Sequence, residues 1–244
     1  MDDDGAARRG LPREPELTRE LVRAVHPRPV EEGQAAMPLL DDEAVELLLD
    51  AALAAAPGGA RGEAWIFAYG SLIWRPEIEI AEHAPALLPG WHRRFCIWQW
   101  RNRGTLANPG LMLALERGGS CAGVALRIAG DDLRDKLRAV WRREMRGNSY
   151  IARWVRPRTA RGPVDAVAFV MNRASDRYAG RLDLEVAADR IASACGARGP
   201  SAEYLCETVH GLRAHGLGDR YLWQLQALVA QRLRRMAAAG AGGG

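Results

Sequence analysis

The chain has 244 residues, 48% hydrophobic and 26% charged, with a formal net charge of +4 and a pI near 9.1. This is the composition of a soluble globular protein able to bury a sizeable core in one domain, at most two, and no apolar run approaches the roughly 20 residues of a membrane span. The basic balance does not argue for nucleic acid: 33 of the 34 basic residues are arginine, Lys136 is the one lysine, and acidic residues are interspersed with no basic stripe bearing aromatics. The acidic, Pro-containing N-terminus lacks the basic and apolar regions of a secretory signal, which points to the cytoplasm. Cys96, Cys121, Cys195 and Cys206 stand singly and read as reduced thiols filling the core, and the five histidines form no metal-ligand spacing.

Residues Met1 to Pro15, charged and punctuated by Gly and Pro, are expected to be disordered. Glu16 to Val25 predicts a short helix with Leu17, Leu21 and Val25 on one side, and His26 to Met37 a linker. Asp41 to Ala56 predicts a helix that starts at Asp41-Asp42, stops at Pro57-Gly58-Gly59 and packs on the body through its leucines and alanines. Residues 1–62 therefore read as an N-terminal extension, 63–236 as the functional domain and 237–244 as a frayed tail. Strands are expected at Trp65–Tyr69, Ala84–Leu88, Arg93–Trp98, Leu111–Glu116, Ala122–Ile128, Ser149–Val155 and Val164–Met171, with Gly118-Gly119 as a hairpin signal. Helices are expected at Asp132–Met145, Asp183–Cys195, Ala202–Gly211 and Asp219–Arg235. Strands first and helices last, with one helix inserted midway, give an α+β fold, and no GxGxxG or βαβ repeat supports a dinucleotide domain.

One stretch in this pattern carries chemistry. The apolar run Trp65 to Tyr69 is broken by Gly70-Ser71, followed by Leu72-Ile73 and, shortly after, Pro76. A strand that runs into Gly-Ser exposes successive backbone N–H groups that suit a carboxylate or phosphate, although a plain tight turn reads equally well from these residues alone.

The inserted helix adds a carboxylate. Leu133, Leu137, Val140 and Trp141 define its core-facing stripe. Glu144 lies eleven positions past Leu133, roughly 20° from it around the axis, whereas Arg142 points to solvent. A carboxylate among leucines and a tryptophan is costly to ionise, so its pKa rises towards the value a general base needs near neutrality. An ion pair with a buried arginine, or a frayed helix end that lets Glu144 reach water, satisfies the same pattern.

Phe67-Ala68-Tyr69-Gly70-Ser71-Leu72-Ile73-Trp74 resembles the signature of the ChaC-type gamma-glutamylcyclotransferases. The resemblance continues in order through Gly90 to Cys96, Arg103-Gly104-Thr105, Pro109 to Leu115, Gly118 to Ala125, Arg143-Glu144-Met145 with Tyr150, Tyr178-Ala179-Gly180 and Glu203-Tyr204-Leu205. It implies a mixed β-sheet or small barrel with flanking helices, and cyclisation of the gamma-glutamyl group of glutathione to 5-oxoproline and cysteinylglycine with no cofactor or metal. It also implies Glu144 as the base and Tyr69 to Ile73 (Tyr69, Gly70, Ser71, Leu72, Ile73) as the loop that binds the gamma-glutamyl moiety. Other gamma-glutamyl amino acids or amines share that half of the substrate, and a binding protein without turnover would keep the same pocket.

Three further residues have two readings each. Arg103 either anchors a substrate carboxylate or is a surface arginine. Tyr150 either orients Glu144 or the substrate, or is a strand-core tyrosine. Tyr178 falls where the family has a substrate-facing loop, but Arg181 stands where that pattern continues with proline, and Ala68 replaces a frequent glycine. His92, Trp91, Trp98 and Trp100 read as packing and rim residues, and His210 and His215 as helix decoration.

Overall fold

The apolar segment β1 (Glu63–Ala68) pairs antiparallel with the second half of β3 (Gly110–Ala129), which in turn pairs along most of its length with β2 (Glu82–Gln99). The computed structural model describes residues 14–31, 39–57 and 62–241. The four strands expected across residues 84–128 are two long ones. Gly118-Gly119 does not turn a hairpin but bends β3 in mid-course, at φ 107° and 66°, opposite Gly90 at φ 78°, and the register jumps there from Pro89↔Ser120 to Trp91↔Arg117. Positive φ on both strands lets the ribbon fold over without losing its ladder.

The bend sets the topology. After the helix α3 (Leu133–Met145), β4 (Tyr150–Val155), β5 (Arg158–Thr159) and β6 (Gly162–Pro163) lead into β7 (Ala166–Met171), giving a sheet of order β4-β7-β1-β3-β2-β5-β6. β7 runs parallel to β1 at Ile66↔Val167 and also parallel to β3 at Leu115↔Val170. Because β1 and β3 are antiparallel, both pairings require β3 to change direction between its halves. The result is a curled mixed sheet rather than a flat one. A two-stranded ribbon, β8 (Cys195–Gly196) and β9 (Gly199–Pro200), stands apart from it.

Among the described residues six α-helices flank the sheet. α1 (Arg19–Val25) is capped by Thr18, and α2 (Asp42–Ala54) by Asp41, whose carboxylate accepts from the Ala44 N–H at 2.8 Å. α2 lies on α3: Arg134 and Arg138 pair with Glu46, and Arg142 and Arg146 with Asp42, while Val45 and Leu49 are buried. α4 (Leu184–Ser193), α5 (Ser201–Ala214) and α6 (Arg220–Ala241) form the C-terminal layer. α6 extends past the expected end at Arg235 because alanine-rich sequence favours helix. Residues 237–241 of the expected frayed tail are thus helical, whereas 242–244, residues 1–13 of the expected disordered start and 32–38 around the expected linker lie outside the described residues. All four cysteines are buried and free.

α3 ends where its sequence lets it. Asn148, at φ 50°, donates its backbone N–H to the Met145 carbonyl at 2.9 Å and turns the chain into β4. That turn fixes Glu144 and Tyr150 on the same side of the sheet.

Candidate active site

β1 delivers the chain into a 3-10 turn, Ser71–Ile73, at the point where the sheet curls. The opening N–H groups of such a turn have no intrahelical partner. Gly70 is required there: a Cβ on it would lie 2.7 Å from the Tyr204 hydroxyl of α5. Tyr204 cannot easily retreat, being held edge-on to Trp74 and Phe95 at ring centroid distances of 6.1 and 6.0 Å.

Tyr69, Gly70, Ser71, Leu72, Glu144, Tyr150, Phe169 and Tyr204 enclose a small recess. It adjoins a cleft of about 580 Å³ that shares Ser71, Glu144, Tyr150 and Tyr204 with it. The Tyr69 hydroxyl donates to the Phe169 carbonyl at 2.5 Å, and the Tyr150 hydroxyl to the Leu113 carbonyl at 2.8 Å. Both rings are therefore pinned as walls. The Tyr150 hydroxyl is thereby held to the backbone of β3.

Glu144 is on the face of α3 expected from its spacing, with its side chain 12% exposed. Burial pushes its carboxyl above the ordinary carboxylate value; Arg143 opposes that shift and Glu77 adds to it. Burial likewise pushes the Tyr204 hydroxyl up to about 12, so it remains protonated at neutral pH. Arg143 Nε lies 3.0 Å from Glu144 Oε1. The same guanidinium donates to Ser71 Oγ at 2.7 Å and to the Arg75 carbonyl, and lies 3.5 Å from Glu77. Glu77 itself has φ 61°, a left-handed conformation uncommon for a residue with a side chain. The arginine of the ion-pair reading is thus present, but it is the neighbour of Glu144 in sequence and lies at the mouth of the site.

Arg103 also lines the cleft, away from the recess, where it pairs with Glu203 and donates to the Pro200 carbonyl at 3.2 Å. Two expected residues stand outside. Ile73 packs towards Gly211 of α5 as a core residue. Tyr178 donates to Glu116 Oε2 at 3.1 Å and does not line the cleft. The segment around it makes a strand-like bridge to Ile97, so neighbouring side chains alternate and Arg177 takes the inward direction instead. Arg143, Tyr204 and Arg177 are cleft residues that sequence reasoning did not single out, although Arg143 and Tyr204 fall inside blocks that carry the family resemblance.

Eight arginines and two glutamates line the cleft, so it favours an anionic ligand over a neutral one. Among the described residues no group of three or more His, Cys, Asp or Glu could hold a metal ion, and no helix is long and apolar enough to cross a membrane.

The model of the ChaC-like protein family matches residues 64–232. The chain belongs to that family. The ChaC-like chain is 38% identical over 186 residues to the glutathione-specific gamma-glutamylcyclotransferase of Escherichia coli K12, covering 76% of this chain and 80% of that protein. It is 30% identical over 179 residues to glutathione-specific gamma-glutamylcyclotransferase 1 of Danio rerio, covering 70% and 90% of the two chains. In fold it is similar to the crystal structure of a glutathione-specific gamma-glutamyl cyclotransferase from yeast, with a TM-score of 0.65 and 20% identity over 70% of this chain and 97% of that one. The α+β class and the mixed sheet with flanking helices expected from the sequence are those of this family.

Proposed function

We propose that this ChaC-like chain cyclises the gamma-glutamyl group of glutathione, releasing 5-oxoproline and cysteinylglycine, with Glu144 as the general base and residues 63–236 as the catalytic unit. The observation that carries the reading is a carboxylate of raised pKa on the wall of a small recess, beside the turn that begins at Gly70. The nucleophile is supplied by the substrate. Its α-amine, with a pKa near 8 when free, attacks its own γ-carbonyl carbon; the new C–N bond closes a five-membered lactam and the bond to the cysteine nitrogen breaks. Glu144 takes the proton that the α-ammonium loses before attack, and the second proton shed as that nitrogen becomes the lactam N–H passes to the leaving amine as its C–N bond breaks, so no water is consumed and no protein nucleophile is needed. The N–H groups opening the turn at Gly70–Leu72 suit the α-carboxylate or the oxyanion that develops on the γ-oxygen. Enclosure between Tyr69, Tyr150 and Tyr204 favours the folded substrate conformer in which intramolecular attack is fast. The cationic cleft suits the net negative charge of the tripeptide, and we take the cytosol as the site of action.

The test is incubation of purified protein with glutathione, without added metal, and quantification of 5-oxoproline and cysteinylglycine by mass spectrometry. Equal amounts of both are expected. Cyclisation of other gamma-glutamyl compounds with glutathione untouched would replace the substrate, and no cyclisation at all would leave a binding protein.

A further inference from the structure

The far part of the cleft holds two buried polar side chains, Arg177 and Gln99. Arg177 is 7% exposed and Gln99 3% exposed, and both line the cleft. Arg177 donates from Nε to the Trp98 carbonyl at 3.2 Å, which anchors one edge of the guanidinium. Among the described residues no carboxylate pairs with it. Burial pulls its pKa below the ordinary value, against the opposing influence of Tyr150 and the adjacent Asp176. The side-chain oxygen of Gln99 has no hydrogen-bond partner. Buried amide oxygens are ordinarily hydrogen-bonded and buried guanidiniums ordinarily ion-paired, so an unpartnered Gln99 oxygen and a guanidinium without a salt bridge in one cleft point to a ligand with a matching donor and acceptor.

Their position restricts what that ligand is. Arg177 and Tyr150 line the same cleft, and Tyr150 is also a wall of the recess that holds Glu144. A gamma-glutamyl group in the recess would therefore direct the rest of its substrate past Tyr150 towards Arg177 and Gln99. Arg101 and Arg198 stand at the rim, brought together by loop contacts from the Ala197 N–H to the Arg101 carbonyl at 3.2 Å and from the Arg198 N–H to the Asn102 carbonyl at 2.8 Å.

We propose that Arg177 and Gln99 form a receptor for the C-terminal unit of a peptide substrate, with the Arg177 guanidinium taking the terminal carboxylate and the Gln99 side-chain oxygen accepting the last peptide N–H. This subsite rests on the cyclotransferase reading for its orientation, and it makes the protein selective for gamma-glutamyl peptides that end in a free carboxylate over gamma-glutamyl amines. Arg101 and Arg198 add positive potential at the entrance.

The experiment compares glutathione with its C-terminal carboxamide, which keeps every atom of the gamma-glutamyl half and removes the negative charge. Wild-type protein is expected to favour the acid by roughly 10- to 100-fold in kcat/KM, mainly through KM, as for a charge-assisted hydrogen bond. In R177Q the ratio should collapse towards one, and R177K should keep part of it. Equal use of acid and amide by the wild type overturns the subsite, as does an R177Q variant that slows both substrates alike, because a loop-anchoring role would act on both. If the wild type turns over neither compound, the cyclotransferase reading falls. Calorimetric titration with cysteinylglycine and its amide then decides the subsite by itself: about tenfold tighter binding of the acid supports it, and equal binding overturns it.

Discussion

Arg143 donates a hydrogen bond from Nη2 to the hydroxyl oxygen of Ser71 at 2.7 Å, while its Nε faces Glu144 at 3.0 Å. One side chain thereby ties the turn after β1 to the carboxylate at the end of α3, two parts of the chain that approach each other only because the sheet curls.

Replacement of Glu144 by glutamine removes the base and preserves shape. The variant should fold normally and lose 5-oxoproline formation by about 10²- to 10⁴-fold in kcat. Retention of turnover would remove Glu144 from the role.

The pH dependence follows from the same group. Glu144 must be ionised to accept a proton, and burial raises its pKa, so kcat/KM should fall in acid with a midpoint above the ordinary glutamate value of 4.5. Arg143 favours the ionised form. In R143Q the acid limb should therefore move to higher pH, and kcat should fall as the turn at Ser71 loses its tether. A pH–rate profile of both proteins reads the two effects separately.

Stability should run the other way. A carboxyl whose folded pKa lies above its unfolded value binds more protons when folded, so its contribution to stability is present below the unfolded pKa and is lost as pH rises through the folded one. E144Q should accordingly melt above wild type at pH 7 to 8, by about 2–4 °C for each kcal/mol recovered, and the gap should close towards pH 4.5. Thermal melts at three pH values measure it.

Gly70→Ala places a methyl group 2.7 Å from the Tyr204 hydroxyl. Because Tyr204 is packed between Trp74 and Phe95, the overlap should cost about 1–3 kcal/mol of stability and most of the activity. Y204F removes the clashing atom, so the G70A/Y204F double variant should recover part of the stability lost in G70A. Failure to recover would mean that the Tyr204 hydroxyl is not what the glycine makes room for.

The sequence by itself determined what is periodic or punctuated. The apolar run of β1, the Leu133–Leu137–Val140–Trp141 stripe that aims Glu144 inward, and the caps at Asp41 and Asp219 are local patterns, and each lies where spacing put it. The ordered motifs likewise identified the family before any coordinates. What only the tertiary structure decided depends on contacts between distant residues. Gly118-Gly119 has turn chemistry, yet whether it reverses a hairpin or bends a strand depends on Gly90 opposite, 28 positions earlier. Tyr150 and Tyr178 have two readings each in sequence, and the partners of their hydroxyls, Leu113 and Glu116, come from β3. Arg177, one of many arginines in the sequence, is among the described residues the buried arginine without a salt bridge, a property that follows from its place beside the bridge to Ile97 and leaves no local signature. Spacing along the chain fixes which face a side chain presents, but which atoms meet that face is set by the curl of the sheet.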